Sequence, residues 1–195
     1  MPSPIGVLAL QGDFREHRQT FDSIGVETIE VRTKGDLTKV SGLVIPGGES
    51  TVIHKLAVAY ELFDPIKNAI ANGLPAFGTC AGLILLAKTI LDGTADQRSF
   101  GGLDISVKRN AFGGQLDSFE TDLTFAGIEG EPLHAAFIRA PIVETVSNDV
   151  EILSTLPDGR IVGVRQGNVM GISFHPEVTS ENRVHELFAN MVYNR

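Results

Sequence analysis

Short uncharged runs stopped by glycine dictate how the first half of this chain can fold. Ile5-Gly-Val-Leu-Ala-Leu10 ends at Gln11-Gly12, Leu43-Val-Ile45 at Pro46-Gly47-Gly48, and Ala76-Phe-Gly78 runs straight into Thr79-Cys80. Runs so short and so apolar are predicted as strands buried on both faces, and Val26 to Val31 supplies a further strand. The segments between them have helical spacing. Phe14, His17, Phe21 and Ile24 mark a helix closed by Gly25. Helices are also predicted over Thr51 to Leu56, over Glu61 to Asn72 and over Ala81 to Ile90. Strand and helix in alternation imply an α/β fold with an open, mostly parallel central sheet covered by helices on both faces.

After Leu103 the pattern changes to short alternating runs. These are Ile105-Ser-Val107, Phe119 to Leu123, His134 to Ile138, Glu151-Ile-Leu153, Ile161 to Val164 and Val169 to Phe174. Asp158-Gly159 and Gln166-Gly-Asn168 are hairpin signals, so antiparallel strands are expected in this C-terminal half. Val184, Leu187, Phe188 and Met191 then place a final helix against the sheet. No repeat or linker divides the 195 residues, and one domain over 1–195 is expected.

A formal charge of -8 without any Lys/Arg cluster argues against a nucleic-acid partner. The uncharged stretch from Asn68 to Ala87 is long enough for a membrane span, but Asn72-Gly73, Pro75, Gly78 and Gly82 interrupt it. With no basic region before the first apolar run, no export signal is expected, and the chain is placed in the cytoplasm. A single cysteine allows no internal disulfide, nothing resembles the paired cysteines of zinc sites, and no metal or cofactor is expected.

That cysteine is set in Gly78-Thr-Cys80-Ala-Gly82, at the join between a predicted strand and a predicted helix. The spacing matches a nucleophile elbow. Glycines two residues either side let neighbouring backbone approach, and a helix beginning at Ala81 turns its positive end toward the sulfur, favouring thiolate. An isolated cysteine is more often a small buried hydrophobe; the strand-glycine-glycine-helix setting weighs against that here. Of five histidines, His17 and His185 fall within predicted helices, His54 just inside another, and His134 in an ordinary strand, where packed or solvated roles are expected. His175 differs: it ends a strand and precedes Pro176-Glu177. Positions i and i+2 project to one side of extended chain, so Glu177 can orient the His175 ring, as in Cys-His-acid triads. Pro46-Gly-Gly-Glu-Ser-Thr51 follows the third strand and can aim backbone N–H groups at an anionic oxygen, with Ser50-Thr51 also available as a helix cap. It is not a phosphate loop, because no lysine follows the glycines and Glu49 would repel phosphate.

In this order, these elements resemble the class I, triad-type glutamine amidotransferases. The wider set is similar to the glutaminase subunits of two-component pyridoxal 5'-phosphate synthases. It comprises Gly6-Val-Leu-Ala-Leu-Gln-Gly12 with Arg15-Glu-His17, Pro46 to Thr51, Phe77 to Leu83, Arg109-Asn-Ala-Phe-Gly113 with Asp117-Ser-Phe-Glu120, Phe137-Ile-Arg-Ala-Pro141 and Ser173 to Glu177. The resemblance implies that Cys80 attacks the side-chain amide of L-glutamine, with His175 as base and acid and Glu177 as its orienter. It implies an oxyanion hole from the N–H groups of Gly48 and Ala81, and a glutamine site lined by Gly48, Glu49, Ser50, Arg109, Ile138 and Arg139. It also implies a partner, a barrel-shaped oligomeric synthase subunit that receives ammonia through a shielded path, with docking needed to arrange Gly47-Gly48. In that family an arginine commonly follows Phe-Gly in the Arg-Asn-x-Phe-Gly segment; here Gly114 stands in that place, removing a positive contact and leaving the triad untouched. Other readings are the glutaminase of a different ammonia-channelling synthase such as imidazole glycerol phosphate synthase, a cysteine peptidase or chaperone with a similar elbow, and a binding module whose thiol is structural.

Overall fold

In a computed structural model of the chain, residues 3–109 and 118–194 are described. The strands of the first half are β1 (Ile5–Leu8), β2 (Thr28–Val31), β3 (Gly42–Ile45), β4 (Ala76–Thr79) and β5 (Ala87–Ile90). Helices α1 (Phe14–Ser23), α2 (Lys34–Leu37), α3 (Ser50–Ala59), α4 (Phe63–Ala71) and α5 (Ala81–Leu86) lie between them. The second half contributes β6 (Leu103–Lys108), β7 (Ser118–Leu123), β8 (Leu133–Ile138), β9 (Ile142–Val146), β10 (Glu151–Thr155), β11 (Ile161–Gln166) and β12 (Val169–Ile172). A 3-10 turn at Pro176–Val178 and the helix α6 (Arg183–Tyr193) complete it.

The main sheet runs β2-β1-β3-β4-β12-β11-β9-β6-β5, with β10 paired to β11 and a separate β7-β8 hairpin. From β2 to β12 every pairing is parallel. Beyond β12 the ladders turn antiparallel as far as β6, and β5 then pairs parallel to β6. The fold is therefore α/β, with a mostly parallel centre and antiparallel strands from the C-terminal half.

Strands β1, β3, β4 and β12 are buried at every residue. Alternation splits their side chains between two apolar clusters: Leu43 and Ile45 join Ile53, Phe63 and Leu83, while Val44 joins Phe21, Val184 and Phe188. Because successive strand residues point to opposite faces, α3, α4 and α5 cover one side of the sheet and α1 and α6 the other. No described helix is long and apolar enough to cross a membrane.

Two departures from the sequence reading have clear causes. The helix expected over Ala81 to Ile90 stops at Leu86; Ala87 takes extended backbone, φ -69 and ψ 142, and Ala87–Ile90 becomes a strand. Pairing with Leu103–Val107 gives β-branched Thr89 and Ile90 a better home than a helix end would. Strand β9 has no counterpart in the reading; its alternation is imperfect, with Ile142 and Val143 both buried.

Candidate active site

Four parallel strands deliver the site, because their carboxyl ends open on one edge of the sheet. Asp13 follows β1, Gly47-Gly48 follows β3, Cys80 follows β4 and His175 lies just beyond β12. Open α/β sheets bind their ligands at this edge.

Cys80 sits on the expected elbow. Its backbone has φ 50 and ψ -103, a strained conformation for a residue with a side chain, held by Cys80 N–H donating to the Ile172 carbonyl at 2.9 Å. The glycines either side are required by packing. A Cβ on Gly78 would lie 2.4 Å from the Gly82 carbonyl carbon, and one on Gly82 would lie 2.0 Å from the Ile45 carbonyl oxygen. Strand β4, helix α5 and strand β3 thus touch backbone to backbone, which fixes where the sulfur emerges. The Cys80 Sγ lies 4.0 Å from the Ile138 carbonyl oxygen.

His175 is anchored by its N–H donating to the Ala136 carbonyl at 2.9 Å. The His175 Nδ1 lies 2.7 Å from Glu177 Oε1, and the ring and the Cys80 thiol line the same cavity. Burial opposes a charge on this ring, but the neighbouring Cys80 and Glu177 outweigh that and raise the pKa to about 10. Burial pushes the Glu177 carboxyl up, and the bond to His175 pulls it back. The surroundings of the imidazole therefore favour its cationic form. Burial likewise raises the pKa of Asp13, against the pull of the His175 charge.

Cys80 and His175 line a cavity of about 400 Å³ together with Gly48, Glu49, Ser50, Arg109, Ile138 and Arg139 among others. A cavity of that size is in the range of small-molecule sites. Every expected glutamine-site residue thus borders the same space. Ala81 begins α5 behind the sulfur and is buried. Arg139 has positive φ, 47°, at the bend after β8. Asn110 to Asp117, including Gly114, lie outside the described residues.

The helix cap is placed differently from the reading. Glu49 caps α3, its carboxylate accepting from Thr51 N–H at 3.4 Å and Oγ1 at 3.0 Å, while Ser50 is buried in the first turn. Glu49 Oε1 also holds Arg109 Nη2 at 3.3 Å. Three residues missed by the sequence reading bear on the site. Gln97 joins Ser50 Oγ at 3.0 Å to Arg109 Nη1 at 3.2 Å. Gln11 Oε1 accepts from Glu49 N–H at 2.9 Å, and Asp13 N–H donates to the Gly47 carbonyl at 3.0 Å, so the loop after β1 props the glycine pair. Asp13 Oδ2 stands 3.5 Å from His175 Nδ1. Gln11 and Asp13 were legible as following a buried strand; Gln97, in the loop between β5 and β6, carries no such signal, and none of the three partners was legible.

Asp13, His175 and Glu177 bring ligand atoms within 4.8 Å of one another, a spacing a metal ion could use. The His175 nitrogen on that side is already bonded to Glu177, and a metal would have to break that bond. Of the other histidines, His134 is exposed between Asp122 and Glu120, and His54 packs edge-on against Phe63.

Residues 7–194 match the model of the SNO glutamine amidotransferase family. The chain belongs to that family. Among its relatives, the "Pyridoxal 5'-phosphate synthase subunit PdxT" of Leifsonia xyli subsp. xyli is 56% identical over 191 residues, covering 98% of this chain and 96% of the relative. The protein of the same name from Rhodococcus opacus is 54% identical over 194 residues, covering 96% of each. A crystal structure described as a glutamine amidotransferase superposes with a TM-score of 0.89 at 46% identity, covering 96% of this chain and 98% of that one.

Proposed function

We propose that this chain, working as one domain in the cytoplasm, is a glutaminase that hydrolyses L-glutamine to L-glutamate and ammonia. It hands the ammonia to the synthase subunit of a pyridoxal 5'-phosphate synthase in vitamin B6 biosynthesis. The observation that carries this reading is His175 Nδ1 held 2.7 Å from Glu177 Oε1, with the ring and the Cys80 thiol lining one cavity. Family membership and the names of the relatives support the pathway.

His175 takes the Cys80 proton, and the sulfur attacks the side-chain amide carbon. Gly48 and Ala81 N–H groups receive the oxyanion, a contribution worth about 10²–10³ in rate per donor in comparable sites. The imidazolium returns its proton to the departing nitrogen, which leaves as ammonia with the glutamyl group held as a thioester on Cys80. Water, deprotonated by His175, then splits the thioester; glutamate leaves and the sulfur regains a proton. Glu49, Ser50, Arg109, Ile138 and Arg139 hold the amino-acid end, where an arginine suits the α-carboxylate. Free ammonia is mostly ammonium at neutral pH, so transfer to a docked barrel-shaped, oligomeric partner by a shielded path fits the chemistry. The props from Gln11 and Asp13 to the Gly47-Gly48 loop are the contacts docking would adjust.

Glutamate release by this chain with and without a pyridoxal 5'-phosphate synthase subunit tests the reading. Turnover should rise steeply on mixing and vanish in Cys80→Ala. Equal rates alone and in complex would refute the coupling, and an active Cys80→Ala would refute the nucleophile.

A further inference from the structure

Behind Glu177 lies a buried histidine pair for which the triad has no use. His17 on α1 and His185 on α6 are both fully buried, and their Nδ1 and Nε2 atoms lie 2.8 Å apart. The His17 Nε2 lies 3.0 Å from Thr79 Oγ1, beside the nucleophile, and 3.6 Å from Glu177 Oε1. The last distance is too long for a hydrogen bond but short for a charge facing a dipole. Phe77 packs edge-on against both rings, and Phe21 against His185, so water is excluded. Burial, then the neighbouring histidine charges, hold His17 far below the usual range, and burial takes His185 down to about 3, so both rings are neutral.

Two neutral rings can share one proton in two ways. In the first, His17 Nδ1–H donates to His185. That points a lone pair of His17 at the Glu177 carboxylate and leaves a buried N–H on His185 Nδ1, an atom with no partner among the described residues. In the second, His185 Nε2–H donates to His17. His17 then carries its proton on Nε2, bonded to Thr79 Oγ1 with the N–H dipole beside Glu177, and the orphan on His185 becomes an acceptor. Buried donors without partners are rarer than under-satisfied acceptors, and an N–H facing a carboxylate is attractive where a lone pair is repulsive. Both comparisons choose the second arrangement. Glu177 needs the help, because its Oε2 has no hydrogen-bond partner among the described residues.

We propose that His17, locked in one tautomer by His185, is a positioning residue of the triad: its Nε2–H dipole holds Glu177 ionised and turned toward His175. The inference rests on the glutaminase reading of the site. The charged or titratable groups facing Glu177 are His175 beside it, His17 from α1 and Asp13 from the loop after β1, with Cys80 beyond His175 and Glu16 beyond Asp13. Among these described titratable groups, His17 alone faces it as a neutral donor.

The test compares His17→Met, which keeps bulk and loses the donor, with His17→Gln, whose amide N–H replaces Nε2–H. His185→Met and His185→Gln form the matching pair. Each is assayed for glutamate release in complex with the synthase subunit across pH, alongside a thermal melt and Cys80→Ala. In His17→Met the acid limb of the profile should move up by about one unit, tenfold less activity on that limb. The alkaline limb should stay, and His17→Gln should restore the profile. His185→Met should move the limb in the same direction by less, and His185→Gln should not. A purely structural role would instead rank the variants by melting temperature and leave every limb in place. An unshifted limb in folded His17→Met, or Gln no better than Met, overturns the proposal. If His17→Met does not fold, an unshifted limb in His185→Met overturns it. An active Cys80→Ala would sink the glutaminase reading itself, a separate outcome.

Discussion

Replacing Gly82 by alanine tests whether packing of the elbow sets the position of the sulfur. The added Cβ would lie 2.0 Å from the Ile45 carbonyl oxygen and 2.9 Å from its carbon, with ordinary contact beginning at 3.4 Å. Neither neighbour is a flexible side chain that could swing away, so α5 must retreat from β3 by about 1.4 Å, and Cys80, two residues earlier, must move with it. Overpacking of this kind typically costs about 1–3 kcal/mol, and a displacement of about 1 Å at a reacting atom can cost about a hundredfold in rate. Urea unfolding of the chain, together with glutamate release in complex with the synthase subunit, reads both effects. Stability should fall toward the upper end of that range and turnover by about two orders of magnitude. Gly35→Ala is the control. Its Cβ would lie 3.7 Å from Thr33 Oγ1 in the single turn of α2, and it should hold or slightly raise stability with unchanged turnover. Wild-type stability and turnover in Gly82→Ala would refute the claim that β3 and α5 meet backbone to backbone.

Glu177→Gln leaves the His175 ring its neighbour but removes the charge that favours the imidazolium; glutamate release should drop by about 10³–10⁴, and a loss below tenfold would contradict the role of Glu177. Because the pKa of His175 is raised from 6.5 to about 10, its contribution to stability is complete below about pH 6.5 and is lost as pH rises through 10. The stability advantage of the wild type over His175→Gln, measured by urea unfolding, should therefore shrink between those limits by at most a few kcal/mol, and growth with pH would contradict the sign. Arg109→Ala should raise the KM for glutamine about tenfold or more with a smaller change in kcat, since it removes a cation from the cavity wall and releases Glu49 and Gln97.

The parallel core was legible because β1, β3 and β4 are buried on both faces, which leaves uncharged runs, and their glycine stops coincide with the sheet edge that carries the site. The elbow was legible for a related reason: Gly78 and Gly82 record close backbone approach directly in the sequence. The run from Ala81 to Ile90 was misread because an unbroken apolar stretch looks alike as helix or strand, and only the partner β6 decides that Ala87–Ile90 extends. His17 and His185 were read as packed residues, and they are buried. What could not be read is that α1 and α6, 168 positions apart at these residues, bring the rings together behind Glu177. Asp13 and Gln97 fall in the same class, as ordinary polar residues whose meaning depends on what the topology sets opposite them. The helix cap slipped by one residue because Glu49 serves Thr51 and Arg109 at once, a choice made by β6 delivering Arg109.

The convergence of sulfur, imidazole and cavity on one glutamine-sized space is tested most directly by labelling. The chain in complex with the synthase subunit is treated with a diazo-ketone analogue of glutamine, and the modified peptide is identified by mass. The adduct should fall on the peptide containing Cys80, be suppressed by excess L-glutamine, and fail to form at a comparable rate in His175→Gln. An adduct that glutamine does not suppress, or one that forms equally fast without the imidazole, would contradict the account.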